Sequence, residues 1–187
     1  MDENKISSIK VSGGNDKLII VGSGRVAWYI YRFAALLRYD ITVIDNDPAT
    51  LTRERFPRAQ ALLLGDIIHL LRECMIDENT SIVIITHHHE YDEEALLAVI
   101  DSAARYIGIM SNRRAVTAYV SKLVSMQIAE ERMARVHTPI GLDIGGQMAS
   151  EIALAAVAEI QAVRYNRTGG IMTVKRKYDT EKRDDWF

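Results

Sequence analysis

A chain of 187 residues, 48% hydrophobic and 26% charged, has the composition of a globular domain large enough to bury a core, and not of a low-complexity or disordered chain. Its net charge of −2 supplies no cationic surface for nucleic acid or anionic lipid, and the single cysteine, Cys74, excludes an intrachain disulfide. No apolar run reaches the roughly 18–20 residues of a membrane helix, and residues 1–16 are polar without a signal-peptide core, so the expectation is a soluble, cytoplasmic protein.

From residue 17 the chain alternates branched apolar runs with stretches of helical periodicity. Lys17-Leu18-Ile19-Ile20-Val21 reads as a buried strand, and Gly22-Ser23-Gly24 as a turn into a helix over 25–38. A second strand over 41–45 ends on Asp45, and Arg53 to Pro57 connect to a third strand over 59–64. Helix 66–75 follows, carrying Cys74 as a small buried hydrophobe and not a nucleophile. Strands over 80–86 and 105–109 then alternate with helices over 92–103, 112–127 and 147–164. This order predicts an α/β, Rossmann-like doubly wound parallel sheet with helices on both faces, spanning 17–165. Residues 1–16 form a polar N-terminal segment and 166–187 a charged tail, in which Ile171-Met172-Thr173-Val174 could form a short edge strand.

Right-handed crossovers place every strand-to-helix turn on one edge of such a sheet, where ligands bind. Four segments fall there. The first, Gly22-Ser23-Gly24-Arg25-Val26-Ala27, has the Gly-x-Gly-x-x-Ala spacing of a dinucleotide turn. In it Gly22 makes the turn, Gly24 admits a pyrophosphate to the backbone and Ala27 allows close helix packing. Asp45, about 20 residues on, is placed to accept hydrogen bonds from an adenosine ribose and to disfavour a 2′-phosphate, which selects NAD over NADP. Asp47 is better read as a cap for a helix starting near Pro48.

Arg25 occupies the first turn of its helix, where the macrodipole disfavours a cation unless an anion sits there. Arg113 and Arg114, following Ser111 or Asn112 as cap, repeat the mismatch. Either two anionic groups bind at these helix starts, or the arginines reach solvent or a carboxylate. In Thr86-His87-His88-His89-Glu90-Tyr91-Asp92, His87 and His89 share a face if the strand continues. With Asp92 they could form a His/His/carboxylate metal site, but the segment reads first as polar ligand contacts and otherwise as a solvated loop. The glycine-rich run Pro139-Ile140-Gly141-Leu142-Asp143-Ile144-Gly145-Gly146 brings Gly141 and Asp143 to the same edge. Further on, Glu159 in an apolar helix face needs a partner. No nucleophile–base pair stands out, so cofactor binding is favoured over catalysis.

These segments in this order resemble the Rossmann domain of the xanthine dehydrogenase accessory factors, the XdhC/CoxI family. The pieces that carry the resemblance are Val43-Ile44-Asp45, Arg55-Phe56-Pro57, Thr86-His87-His88-His89 with Asp92, Tyr106-Ile107-Gly108 before Arg113-Arg114, and Pro139 to Gly145 before Glu151-Ile152-Ala153. The resemblance implies a homodimeric chaperone that binds molybdenum cofactor (molybdopterin). It protects the cofactor while a cysteine desulfurase installs the terminal sulfur, then passes it to a molybdenum hydroxylase such as xanthine dehydrogenase. The implied cofactor is thus NAD or molybdenum cofactor, with Gly22, Ser23, Gly24, Arg25, Asp45, Thr86, His87, His89, Arg113, Arg114, Gly141 and Asp143 around it.

Ser111-Asn112, Ala149-Ser150 and Arg25 depart from the family's usual Gly-Ser, Pro-Glu and histidine, and residues 1–16 do not supply the N-terminal domain many members carry. Residues 18–73 also resemble the NAD-sensing TrkA-N domains of potassium transport proteins, a likeness that ends near residue 86. An NAD-dependent oxidoreductase is a third reading, without an evident substrate domain.

Overall fold

A computed structural model describes residues 16–111 and 113–171. Six strands form one parallel sheet: β1 (Lys17–Val21), β2 (Asp40–Asp45), β3 (Ala61–Leu64), β4 (Thr80–Ile84), β5 (Tyr106–Ile109) and β6 (Val136–His137). Their spatial order is β3-β2-β1-β4-β5-β6, and every neighbouring pair is parallel. The order reverses between β1 and β4, which opens a crevice at their carboxyl ends. The helices are α1 (Arg25–Leu36), α2 (Ile67–Glu73), α3 (Asp92–Val99), α4 (Arg113–Ser125), α5 (Glu130–Met133) and α6 (Ala149–Arg164). No described helix is long and apolar enough to cross a membrane.

Two apolar layers follow from the period-2 alternation of the strands. Leu18 and Ile20 of β1 face the layer built with α1 and α6, whereas Ile19 and Val21 face the layer built with α2, α3 and α4. Between α1 and α6 the buried residues include Ala27, Ala34, Ala153 and Ala156, whose small side chains let the two helices approach closely. The connection after β2 is part of this core: Phe56 is fully buried edge-on to Tyr31, and Trp28 donates its indole N–H to the Arg55 carbonyl at 3.0 Å. Cys74 is half-buried under α2, its thiol 3.4 Å from the Leu70 carbonyl, and burial pushes its pKa up.

Several boundaries differ from expectation. β4 leaves the sheet at Ile84, not at residue 86, because Thr86 caps a single 3₁₀ turn over His87–His89. No regular helix begins at Pro48; Asp47 caps a turn by accepting from the Ala49 amide at 2.9 Å. β6 and the short α5 are additional to the predicted elements, and β6 completes the second half of the sheet. Residues 166–171 are non-helical, and the edge strand expected at 171–174 lies, except for Ile171, outside the described residues, as does the tail beyond it.

Glu159 finds its partners beneath β5 and β6. Its Oε2 accepts from the Tyr106 hydroxyl at 2.5 Å and the Gly141 amide at 3.0 Å, and its Oε1 lies 3.3 Å from His137 Nδ1. Burial alone raises the pKa of this carboxyl, but the bonds from His137, Tyr106 and Gly141 together outweigh it and hold the pKa below its ordinary value. A carboxyl with a depressed folded pKa stabilises the fold above its unfolded pKa and loses that contribution as pH falls through the folded value. Glu159→Gln should therefore cost about 1–3 kcal/mol at neutral pH and flatten the loss of stability on acidification. Urea unfolding at several pH values reads both effects, and an acid limb unchanged by the substitution would refute this role.

Candidate functional site

The crevice is built from three chain reversals at the carboxyl ends of β1, β2 and β4. After β1, Gly22 takes φ +111°, and a Cβ there would lie 2.3 Å from the Ile85 carbonyl oxygen. Only a residue without a side chain lets the turn pack against the end of β4. Ser23 is fully buried, and both its amide and its hydroxyl donate to Asp45 Oδ2 at 2.6 Å. The Thr50 hydroxyl lies 2.6 Å from Ser23 Oγ and 3.0 Å from Asp47 Oδ2, a second acceptor for its one proton. Asp45 Oδ1 accepts from the amides of Asn46 at 2.7 Å and Asp47 at 3.1 Å.

Asp45 thus meets four protein donors, as many as a carboxylate's lone-pair sites accommodate. The ribose contact expected of it competes with these bonds. In the structure the acid ties the glycine turn of β1 to the end of β2.

The turn delivers an open helix start. Gly24 is the N-cap of α1, with no side-chain cap and no acidic residue in the first turn. A Cβ at Gly24 would meet nothing within 4 Å. The first amides of a helix lack intrahelical acceptors and carry its positive pole. Arg25 is exposed beside them and makes no ion pair among the described residues.

After β4 the chain folds into a tight polar knot. The Asp92 carboxylate is fully buried and accepts from the Thr86 amide at 3.2 Å and the Thr86 hydroxyl at 2.6 Å. His89 Nδ1 lies 2.8 Å from Asp92 Oδ2, and the Thr86 hydroxyl oxygen accepts from the Tyr91 amide at 3.2 Å. These bonds hold His88 and His89 at φ 51° and 61°, a left-handed conformation that costs non-glycine residues about 1–3 kcal/mol each. Because the strand has ended, His87 does not join His89 on Asp92; it packs against His88, ring centroids 4.0 Å apart. Among the described residues no group of three or more His, Cys, Asp or Glu is arranged to hold a metal ion.

A cavity of about 650 Å³ lies between these reversals, within the range of small-molecule sites. Of the residues expected at the site, Gly24, Arg25, Asp45, Thr86, His87 and His89 line it, with Gly22 and Ser23 beneath. Gly141 and Asp143 are outside this lining: Gly141 packs on Ala155 of α6, and Asp143 is exposed in the loop before it. Arg113 and Arg114 open α4 after β5, on the same edge, with side chains outside the described structure; Asn112 is also outside it.

The structure adds Asn46 and Tyr91 to the wall, where Asn46 Nδ2 donates to the Tyr91 hydroxyl at 3.3 Å and bridges the β2 and β4 reversals. The sequence signal for Tyr91 is its position, an aromatic between the histidine run and Asp92.

Residues 18–160 match the family described as the XdhC Rossmann domain. The chain belongs to this family. The match continues past residue 86, where the likeness to potassium-transport sensors ends. The chain is 34% identical to the uncharacterized protein YqeB of Escherichia coli K12, over 88% of this chain and 30% of that protein. It is 27% identical to a Bacillus subtilis 168 protein named as a probable xanthine dehydrogenase subunit, over 79% of this chain and 43% of that protein. It is 22% identical to the E. coli K12 molybdenum cofactor insertion chaperone PaoD, over 81% of this chain and 41% of that protein. A crystal structure of a xanthine dehydrogenase from Bacillus halodurans superposes with a TM-score of 0.71 at 26% identity, over 82% of this chain and 44% of that one. The chain spans less than half the length of each of these relatives.

Removing the charge of Asp45 should loosen the turn on which the cavity rests. Asp45→Asn turns an NH₂ group toward amide donors and should cost about 1–3 kcal/mol in chemical denaturation. Unchanged stability would show that Asp45 is free for a ligand and not committed to the clamp.

Proposed function

We propose that this chain binds a phosphate-bearing cofactor, NAD or the dinucleotide or phosphate portion of molybdenum cofactor, in the cavity at the β1–β4 crevice. There it assists maturation of a molybdenum hydroxylase such as xanthine dehydrogenase. The observation that carries this reading is the α1 start: an uncapped helix N-terminus, unobstructed space at Gly24 and an exposed Arg25, without an ion pair among the described residues, converge on one side of the cavity. Membership of the XdhC Rossmann-domain family, and the relatives named for xanthine dehydrogenase and for cofactor insertion, support the client class.

The cleft fits the phosphate and nucleotide parts of such a cofactor. When bound, molybdenum cofactor supplies the redox metal of the client enzyme. This chain's residues hold its anionic portion: the α1 amides and Arg25 take phosphate oxygens, and Thr86, His87 and His89 face the opposite wall. In this reading the grip is on the organic portion of the cofactor. Asp45 contributes by fixing the turn, and any ribose contact is additional to that duty. Chaperoning requires binding followed by release and no covalent chemistry by the protein. Arg113 and Arg114 provide a second anion contact in this reading, with Gly141 and Asp143 shaping access from the α6 side. The protein acts in the cytoplasm as a homodimer, alongside a cysteine desulfurase that installs the cofactor's terminal sulfur.

Isothermal titration with NAD, NADP and molybdenum cofactor tests the reading. Binding of NAD or molybdenum cofactor is expected, with affinity falling as salt rises. Arg25→Ala should weaken it about tenfold, the effect of one charge-assisted contact, and reduce the salt dependence. No binding to any of the three overturns the proposal.

A further inference from the structure

We propose that the cavity has a second end, built on Tyr91, which takes a flat nitrogen heterocycle carried by the phosphate-bearing ligand. The inference rests on the phosphate-binding reading above and names the part of the ligand that the same cleft selects.

The two ends belong to opposite faces of the sheet. Ala27, in the first turn of α1, packs in the layer shared with α6, whereas Ile67 of α2 and Tyr91 belong to the layer built with α2 and α3. All three line the one cavity. Its volume of about 650 Å³ is that of a small-molecule site and far exceeds a phosphate group. A ligand that fills it with phosphate at Gly24 and Arg25 extends across the strand ends to Ile67 and Tyr91.

Tyr91 is held in place by the protein itself. Its side chain packs against the core cluster that contains Ile67, and its hydroxyl accepts from Asn46 Nδ2 at 3.3 Å. Its amide donates to the Thr86 hydroxyl at 3.2 Å, and its carbonyl accepts from the Ala95 amide at 2.8 Å. The residue is only partly buried and lines the cavity, so ring surface remains for a ligand. With ring, hydroxyl and backbone tethered, contact with a ligand costs little further ordering.

The neighbouring wall selects the type of group. Ile67, Ile85 and Met110 add apolar surface, and Asn46 brings a carboxamide that can accept from a ring amine. A purine or a pterin matches both features, with a π-face for the tyrosine and polar atoms at its edge. The sugar is not what the cleft reads. Asp45 already holds four donors, and the Asp47 carboxylate accepts from the Ala49 amide and the Thr50 hydroxyl. Discrimination among phosphate-bearing ligands therefore falls to Tyr91.

Isothermal titration of the folded chain compares ADP with inorganic pyrophosphate, and dihydroneopterin triphosphate with inorganic triphosphate. A ring-bearing ligand is expected to bind about tenfold or more tightly than its inorganic counterpart, and the larger advantage tells purine from pterin. Tyr91→Ala should remove the advantage and Tyr91→Phe should keep it. An advantage that survives Tyr91→Ala, or none for either ring while the inorganic anions bind, overturns the proposal and leaves the phosphate cleft intact. Binding of no probe overturns both. 2′-Deoxy-ADP should match ADP; a loss of about tenfold would move the selectivity to the ribose and overturn the assignment to Tyr91. Nuclear Overhauser effects between ligand ring protons and Tyr91 give a readout in the unsubstituted chain, and their absence at saturation likewise overturns it.

Discussion

The crevice depends on one carboxylate. Asp45 closes β2 and takes four protein hydrogen bonds, two from buried Ser23 in the turn after β1 and two from the amides that follow it. The arrangement fixes the distance between two strand ends and aims α1 at the space between β1 and β4. Gly22 makes the fit possible, because any side chain there would collide with the Ile85 carbonyl. A local charge thereby sets the direction of a helix dipole, and the dipole defines where an anion is stabilised.

A second carboxylate performs the matching task across the cavity. Asp92 folds the chain after β4 around Thr86 and His89 and holds two histidines in left-handed backbone conformations. The cleft therefore has two walls organised on the same principle: a buried, hydrogen-bonded acid holds each chain reversal. Arg25 and His89 line the cavity; Asp45 and Asp92 keep the turns in place. The α6 side is pinned separately, through Glu159 with Tyr106, His137 and the Gly141 amide.

The sheet is legible in the sequence because its central strands are continuous branched apolar runs and its first turn carries the dinucleotide spacing. β6 is not, since the two residues Val136 and His137 are too short for any period to register. The stop of β4 at Ile84 depends on Thr86 bonding to an acid six positions later, which alternation along a strand does not encode. Asp45 closes β2 where the motif expects an acid, but two of its four hydrogen bonds come from Ser23, a residue the glycine pattern treats as variable. Gly141 and Asp143 join the expected site through a glycine-rich run and the family resemblance; the packing of Gly141 on Ala155 and the exposure of Asp143 depend on how α6 lies against the sheet. Glu159 shows the reverse case, where an acid on an apolar helix face is enough to require partners.

The central claim is that the β1–β4 crevice is where the cofactor's phosphate sits. Backbone amide chemical shifts followed during titration with NAD test it most directly. The account predicts saturable shifts at Gly24, Arg25 and Val26 together with Thr86 and His89, with the loop at Leu142–Gly146 little changed. Shifts absent from the α1 start and concentrated instead along α6 and that loop would contradict it.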